Sequence, residues 1–498
     1  MHVLLASGRA YNAAGQLVSQ LLGNGLVETR YYDLAGRLVT QGVGPVTRAH
    51  YYDEAGNLTS FNENNFARTL GYDLLDRVIG SDQSNGPTQT FAYDANGNRT
   101  SVSTDGTPIT YTYTPGSNRL AQVGMTAWTY DGAGNTVTDG ARTYDHSPTG
   151  DLTQVRSGAV TLGTYANDVD HRRVLRTAES EAFYFYDKDG LRIATYTSFP
   201  GTTYGNGYIL YAILAETDTL YADGEPIAQI QPNPNNGTET LVYLHPDHLG
   251  APRSATSTSG TVVWRWRGSA FGEGGIDDDP DADGTHITID LRHPGQWFDA
   301  ETGLFDNWHR SYEPGTGRYV ESDPIGIAGG INTYGYALQN PITNTDPLGL
   351  FTPYNHNHIT VDAIAQAGGS SCSNLQHLVA LVDTLPESQA PANSFWHAMR
   401  DGTNPKETDA TAKAKYDQYV DQQWKTCTCE GLARTLHAIQ DSFPVGHAGF
   451  QPWSGGLPSV SHVYHDGYPS PHVRSSAVSA SANAIRHYEK SCKMGCPK

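Results

Sequence analysis

The chain has 498 residues, including 53 glycines and 30 tyrosines, only 4 methionines and 17% charged residues. That length exceeds one compact core, and glycine with tyrosine and threonine suits strands joined by tight turns, not a helical bundle. The net charge of −20 is carried almost wholly before residue 351, so wrapping of nucleic acid by that region is excluded by phosphate repulsion.

In chain order, residues 1–242 are dominated by self-similarity. Tyr32-Asp33-Leu34-Ala35-Gly36-Arg37-Leu38 recurs as Tyr52-Asp53-Glu54-Ala55-Gly56-Asn57-Leu58, then as Tyr72-Asp73 … Asp76-Arg77-Val78 and Tyr93-Asp94 … Gly97-Asn98-Arg99. Looser copies start at Tyr130-Asp131 and Tyr186-Asp187. A period of about 20 residues holds two short strands and a turn, and Gly-Asn or Gly-Arg supplies the positive φ of a hairpin. Single hairpins are marginal, and stacking them pairs their edges into one long sheet. These residues resemble the YD repeats of RHS proteins and of the insecticidal Tc toxins. The resemblance implies a β-rich spiralling shell over residues 1–350. The chain opens in mid-repeat, as an expression fragment or truncated locus would, and its N-terminus does not read as a signal peptide.

Residues 243–350 carry a second signature. It includes Tyr243-Leu244-His245-Pro246-Asp247-His248-Leu249-Gly250, Pro294-Gly295-Gln296-Trp297-Phe298-Asp299, and two Asp-Pro-x-Gly units at Asp323 and Asp346. Two carboxylates near one peptide can share a proton, one activating water and the other protonating the leaving amine. The region resembles the RHS-associated core. That resemblance implies an intramolecular aspartyl protease that uses Asp323 and Asp346 and cuts between Leu350 and Phe351. Arg310 is the supporting arginine, with Arg318 as its competitor.

From Phe351 the composition changes. Apolar residues three and four apart at 361–365, 375–382 and 430–441 predict helices, and thus an α-rich domain over 351–498. Ten of the 19 histidines and all five cysteines fall here, which suits a metal site and an oxidising destination. A cysteine zinc knuckle is the second reading of the thiols. His437 and Asp441 share one helix face, and His462 and Asp466 repeat that spacing.

His437-x3-Asp441-x5-His447, Asp383 and His397 14 residues apart, and the His462/Asp466 pair resemble the zinc-dependent phospholipase C family and the related zinc-dependent single-strand nucleases. The resemblance implies up to three zinc ions. One is held by Asp383, His397, His437 and Asp441; a second by the new amine of Phe351, by His358 (or His356) and by Asp441; a third by His447, His462 and Asp466. Asp383 also takes a proton from the attacking water. It implies phosphodiester hydrolysis, with a phospholipid expected as substrate because the domain is near neutral; nucleic acid is the alternative. An immunity protein, a delivery apparatus and a secreted effector's destination in target cells follow from the resemblance to RHS toxins. A non-enzymatic repeat surface protein is the remaining reading.

Overall fold

Each Tyr-Asp pair closes one turn of a β-meander. The computed structural model describes residues 5–12, 16–188, 190–198, 202–203, 209–210, 213–233 and 238–350. After Leu350 it describes residues 360, 363–364, 366–367, 370–372, 375–380, 382, 393, 395–396, 398–401, 408–442, 452–453 and 471–492. The chain divides into two compact units, one made of Met1–Ala10, Leu17–Pro324 and Asn332–Leu350, the other of Tyr11–Gln16, Ile325–Ile331 and Phe351–Lys498.

In the first unit, 13 strands from Ala6–Tyr11 to Thr126–Ala127 pair in chain order, and 14 more from Thr129–Tyr130 to Ile276–Asp277 form a second sheet. The Asp carboxylate builds the turn. Asp33 accepts from the backbone N–H of Arg37 at 2.9 Å, and Asp53, Asp73 and Asp94 accept from Asn57, Arg77 and Asn98 at 2.8, 3.0 and 2.9 Å. Gly36 holds φ +80°, while Asp76 takes +58° in the repeat that lacks the glycine. The Tyr hydroxyl does the other half of the work. Tyr52 donates to the Leu38 carbonyl at 2.9 Å, Tyr72 to Leu58 at 2.7 Å and Tyr93 to Val78 at 2.8 Å, so each repeat is pinned to the one before it.

Alternation puts Leu58, Leu70, Val78, Phe91, Val102 and Leu120 on one buried row against Phe271 and Ile342. A polar row crosses the early strands beside it. Gln20 donates to Glu28 at 2.6 Å, Gln41 to Glu28 at 2.7 Å and Arg48 to Gln41 at 2.9 Å; Arg48 also pairs with Glu63 at 2.8 Å. The expected repeat/core border at 242/243 falls inside the strand Glu239–Pro246, which continues the second sheet. After that sheet, the short strands Trp297–Phe298, Phe305–Asn307, Arg310–Glu313 and Arg318–Tyr319 make a four-stranded sheet over the aromatic cluster of Phe305, Tyr312, Tyr319 and Tyr336.

In the second unit the described residues include helices Leu375–Ala380, Asp409–Lys425, Cys429–Asp441 and Pro471–Ser491, plus the short parallel pair Arg400–Asp401 and Pro452–Trp453. Thr428 caps Cys429–Asp441 by accepting from the Gly431 N–H at 3.0 Å. Leu375, Val379, Leu432, Leu436, Ile485 and Tyr488 form its apolar core. Disulfides join Cys372 to Cys429 and Cys427 to Cys492. The zinc-knuckle reading is thereby corrected: four of the five thiols are bonded to each other and offer no thiolate, and Cys496 lies outside the described residues.

Candidate functional site

The two Asp-Pro-x-Gly carboxylates, 23 positions apart in sequence, meet on one arginine. Arg310 Nη2 lies 2.9 Å from Asp323 Oδ2 and 3.1 Å from Asp346 Oδ2, with all three side chains withdrawn from solvent. The strand Arg310–Glu313 aims the guanidinium, while Asp323 is held by its own N–H donating to the Thr333 carbonyl at 2.7 Å. Arg318 goes elsewhere: it donates to the Asn118 carbonyl at 2.7 Å and lies over the Tyr334 ring.

The end of the first unit runs through this cluster. Asp346 Oδ1 accepts from the Leu350 N–H at 3.1 Å, and Arg310 Nε donates to the Gly349 carbonyl. The Gly349–Leu350 peptide is therefore gripped at both of its polar atoms, and the Leu350 side chain is buried. Glycine is required for this passage at two places. Gly349 sits at φ +64°, where a Cβ would overlap the Asn307 carbonyl; at Gly295 a Cβ would overlap the Pro347 backbone. Phe351 lies outside the described residues.

Two site residues were assigned no role from the sequence. Tyr319 Oη donates to Asp346 Oδ2 at 2.7 Å, and its ring lies 3.7 Å from the Arg310 guanidinium carbon. Asn307 Nδ2 donates to both the Tyr319 oxygen and, at 2.9 Å, the Asp346 carbonyl. Two acceptors on one nitrogen fix it as the amide NH2, so the phenol proton is left facing Asp346. Burial raises the Asp346 pKa above the ordinary carboxylate value, and Arg310, Tyr319 and the N–H groups of Leu350 and Gly349 oppose that rise. Burial would lower the Arg310 pKa, but Asp323, Tyr319 and Asp346 outweigh it and the net direction is up. Such an arrangement sets one guanidinium against two buried carboxyl groups, and burial biases one of them, Asp346, toward its neutral form.

Of the zinc candidates, His437 and Asp441 are described; Asp383, His397, His447, His462, Asp466, His358, His356 and Phe351 lie outside the described residues. His437 and Asp441 are both buried on the helix Cys429–Asp441. His437 Nδ1 donates to the Val379 carbonyl at 3.2 Å, and its Nε2 faces Asp441 Oδ2 at 3.1 Å. A backbone carbonyl on one ring nitrogen is how a ligating histidine is oriented. Two ligand atoms on one tetrahedral zinc lie about 3.4 Å apart, given zinc–ligand bonds near 2.0–2.1 Å. The pair fits a zinc ion on both counts. Among the described residues the one cluster of three metal-ligating groups is elsewhere, at the surface residues Asp279, Asp281 and Asp283.

Comparison with known proteins bears on the repeats. Residues 69–194 match the teneurin YD-shell family model. The crystal structure of TcdB2-TccC3 without its hypervariable C-terminal region superposes with a TM-score of 0.59 at 21% identity, over 70% of this chain and 19% of that one, which shows the YD-shell fold. Two relatives are similar in sequence. Double-stranded DNA deaminase toxin A of Burkholderia cenocepacia (strain H111) is 29% identical over 374 residues, 66% of this chain and 25% of that protein. Probable deoxyribonuclease RhsB of Dickeya dadantii (strain 3937) is 26% identical over 485 residues, 91% of this chain and 31% of that protein. The chain thus spans about a quarter to a third of the length of these two curated relatives.

Proposed function

We propose that this chain is a self-processing toxin: a YD shell cuts its own chain after Leu350 and releases residues 351–498, a zinc-dependent phosphodiesterase that acts on nucleic acid. The observation that carries the first half is the buried Asp323–Arg310–Asp346 cluster closed around the Gly349–Leu350 peptide. Arg310 and Asp346 grip that peptide at both of its polar atoms, and the bond attacked is the next one, between Leu350 and Phe351. Water attacks the Leu350 carbonyl carbon and gives its proton to the ionised carboxylate. The protonated partner gives its proton to the departing nitrogen of Phe351. One C–O bond forms, the C–N bond breaks, and the products are the Leu350 carboxylate and the Phe351 amine.

For the released part, His437 and Asp441 are the residues that would hold zinc, with the ligands of the resemblance completing the set. Bound zinc would supply Lewis-acid activation of water and charge neutralisation at phosphorus. The near-neutral charge of this part suits a phospholipid. The RhsB similarity favours nucleic acid instead: a match over 91% of the chain leaves about 45 residues outside it, far fewer than the 148 that follow Leu350. Residues of the released part therefore take part in similarity to a protein named as a probable deoxyribonuclease. Delivery into a target cell and a cognate immunity protein belong to the same reading.

Intact-mass and metal analysis of the purified wild-type and Asp346→Asn chains tests both halves. The wild type separates into fragments ending at Leu350 and beginning at Phe351, carries zinc, and degrades DNA until the metal is chelated. Asp346→Asn stays whole and carries one zinc fewer, because Phe351 then has no free amine. A whole wild-type chain refutes the first half, and cut protein that hydrolyses phospholipid vesicles but not DNA or RNA refutes the second.

A further inference from the structure

The polar row across the early repeats contains one break in its charge pairing. Arg48 lies opposite Glu63 in strand register, and the two form a salt bridge. One repeat later the same slot, four residues before the repeat tyrosine, holds Arg68, and the residue opposite is the neutral Gln83. Arg68 is 5% exposed. Its Nη2 donates to the Gly268 carbonyl, and among the described residues its Nε meets no partner and no carboxylate forms an ion pair with it. Burial, with Arg253 nearby, lowers its pKa to about 9, so the group remains cationic at neutral pH.

Arg68 borders a cavity of about 30 Å³ that Glu63, Asp247, His248, Arg253 and Arg267 also line. Both carboxylates there are already engaged. Glu63 is shared by Arg48 and by Arg267 at 3.2 Å, and Asp247 binds Arg253 at 2.7 Å together with the N–H groups of Leu249 and Ala251. The lining carries three guanidinium groups against two carboxylates, and Arg48 adds a fourth cation behind Glu63. A buried, uncompensated guanidinium costs several kcal/mol. The space takes a particle or two of water size, which admits a halide and excludes phosphate or sulfate.

We propose that this cavity binds one chloride ion, which stands in for the carboxylate that the preceding repeat supplies at Glu63. The anion neutralises Arg68 and ties the strand Phe66–Tyr72 to the segment around Gly268. It is a structural ion of the shell and takes no part in the chemistry at Asp323 and Asp346.

Bromide tests the site directly. Anomalous diffraction from crystals of the full chain grown in bromide should show a peak within hydrogen-bond reach of Arg68 Nε. In solution, replacing gluconate by chloride at equal ionic strength should raise the shell's Tm by about 2 °C. Gln83→Glu restores the carboxylate across the strand, and its Tm should no longer respond to chloride. A cavity without anomalous density, occupied by water only, overturns the proposal; so does an undiminished chloride response in Gln83→Glu. Should that variant fail to fold, the bromide map of the wild type decides alone.

Discussion

Tyr319→Phe removes a single oxygen from the candidate self-cleavage site and leaves the ring on which Arg310 rests. The lost bond is the 2.7 Å contact to Asp346 Oδ2, a hydrogen bond to a charged acceptor in a fully buried setting. Such bonds contribute about 1.5–3 kcal/mol. At about 1.4 kcal/mol per decade, cleavage slows by roughly 10- to 100-fold. The pH dependence changes as well. Burial already raises the Asp346 pKa, and the phenol opposes that rise. Without the phenol the pKa climbs further. Cleavage requires one ionised carboxylate, so the acid limb of the rate profile moves to higher pH. The assay follows the fraction of cut chain after a pulse of translation in vitro, across a series of pH values. Wild-type rates with an unmoved acid limb would refute the reasoning, whereas a purely structural role for Tyr319 would lower yield without shifting the limb.

Gly349→Ala places a methyl group against the Asn307 carbonyl at a positive φ, so the chain cannot take its path past Arg310; self-cleavage should fall at least tenfold by intact mass while the shell's melting changes little. Opening Cys372–Cys429, which closes a 57-residue separation, should destabilise the second unit by about 4 kcal/mol in denaturant titrations of Cys372→Ser/Cys429→Ser. Acid should weaken the shell through His245, whose pKa burial and Arg48 pull down to about 3. The unfolded chain then binds a proton below its ordinary value near 6.5 while the folded chain does not, so stability is lost as pH falls from there. The loss from this residue is about 2 kcal/mol at pH 5. His245→Gln should flatten the urea-midpoint slope between pH 7 and 5, and an unchanged slope would remove His245 from the account.

The repeats were legible because one turn chemistry recurs in register: an Asp that accepts from the backbone four residues on, a Gly at positive φ, and a Tyr that reaches back to the previous repeat. The Asp323/Asp346 pair was legible from its duplicated Asp-Pro-x-Gly frame. Tyr319 and Asn307 were not, since strands of two and three residues carry no periodic signal and cross-strand pairing alone brings their side chains to Asp346. The cysteine pairing was hidden for a similar reason, because it depends on how helices distant in sequence pack. Arg68 shows an intermediate case. Its missing partner can be read by aligning repeats, but only once the register Arg68 to Gln83 is known.

The tyrosine pin also bears on how such chains change over generations. Each hydroxyl reaches 14 or 15 residues back along the chain. A duplication or deletion of one whole repeat therefore leaves every remaining pin with a partner of the same kind. Within the strand ladder a whole repeat is thus the natural unit of change, whereas contacts that tie a given repeat to a later segment, such as Arg68 to the Gly268 carbonyl, would have to be remade.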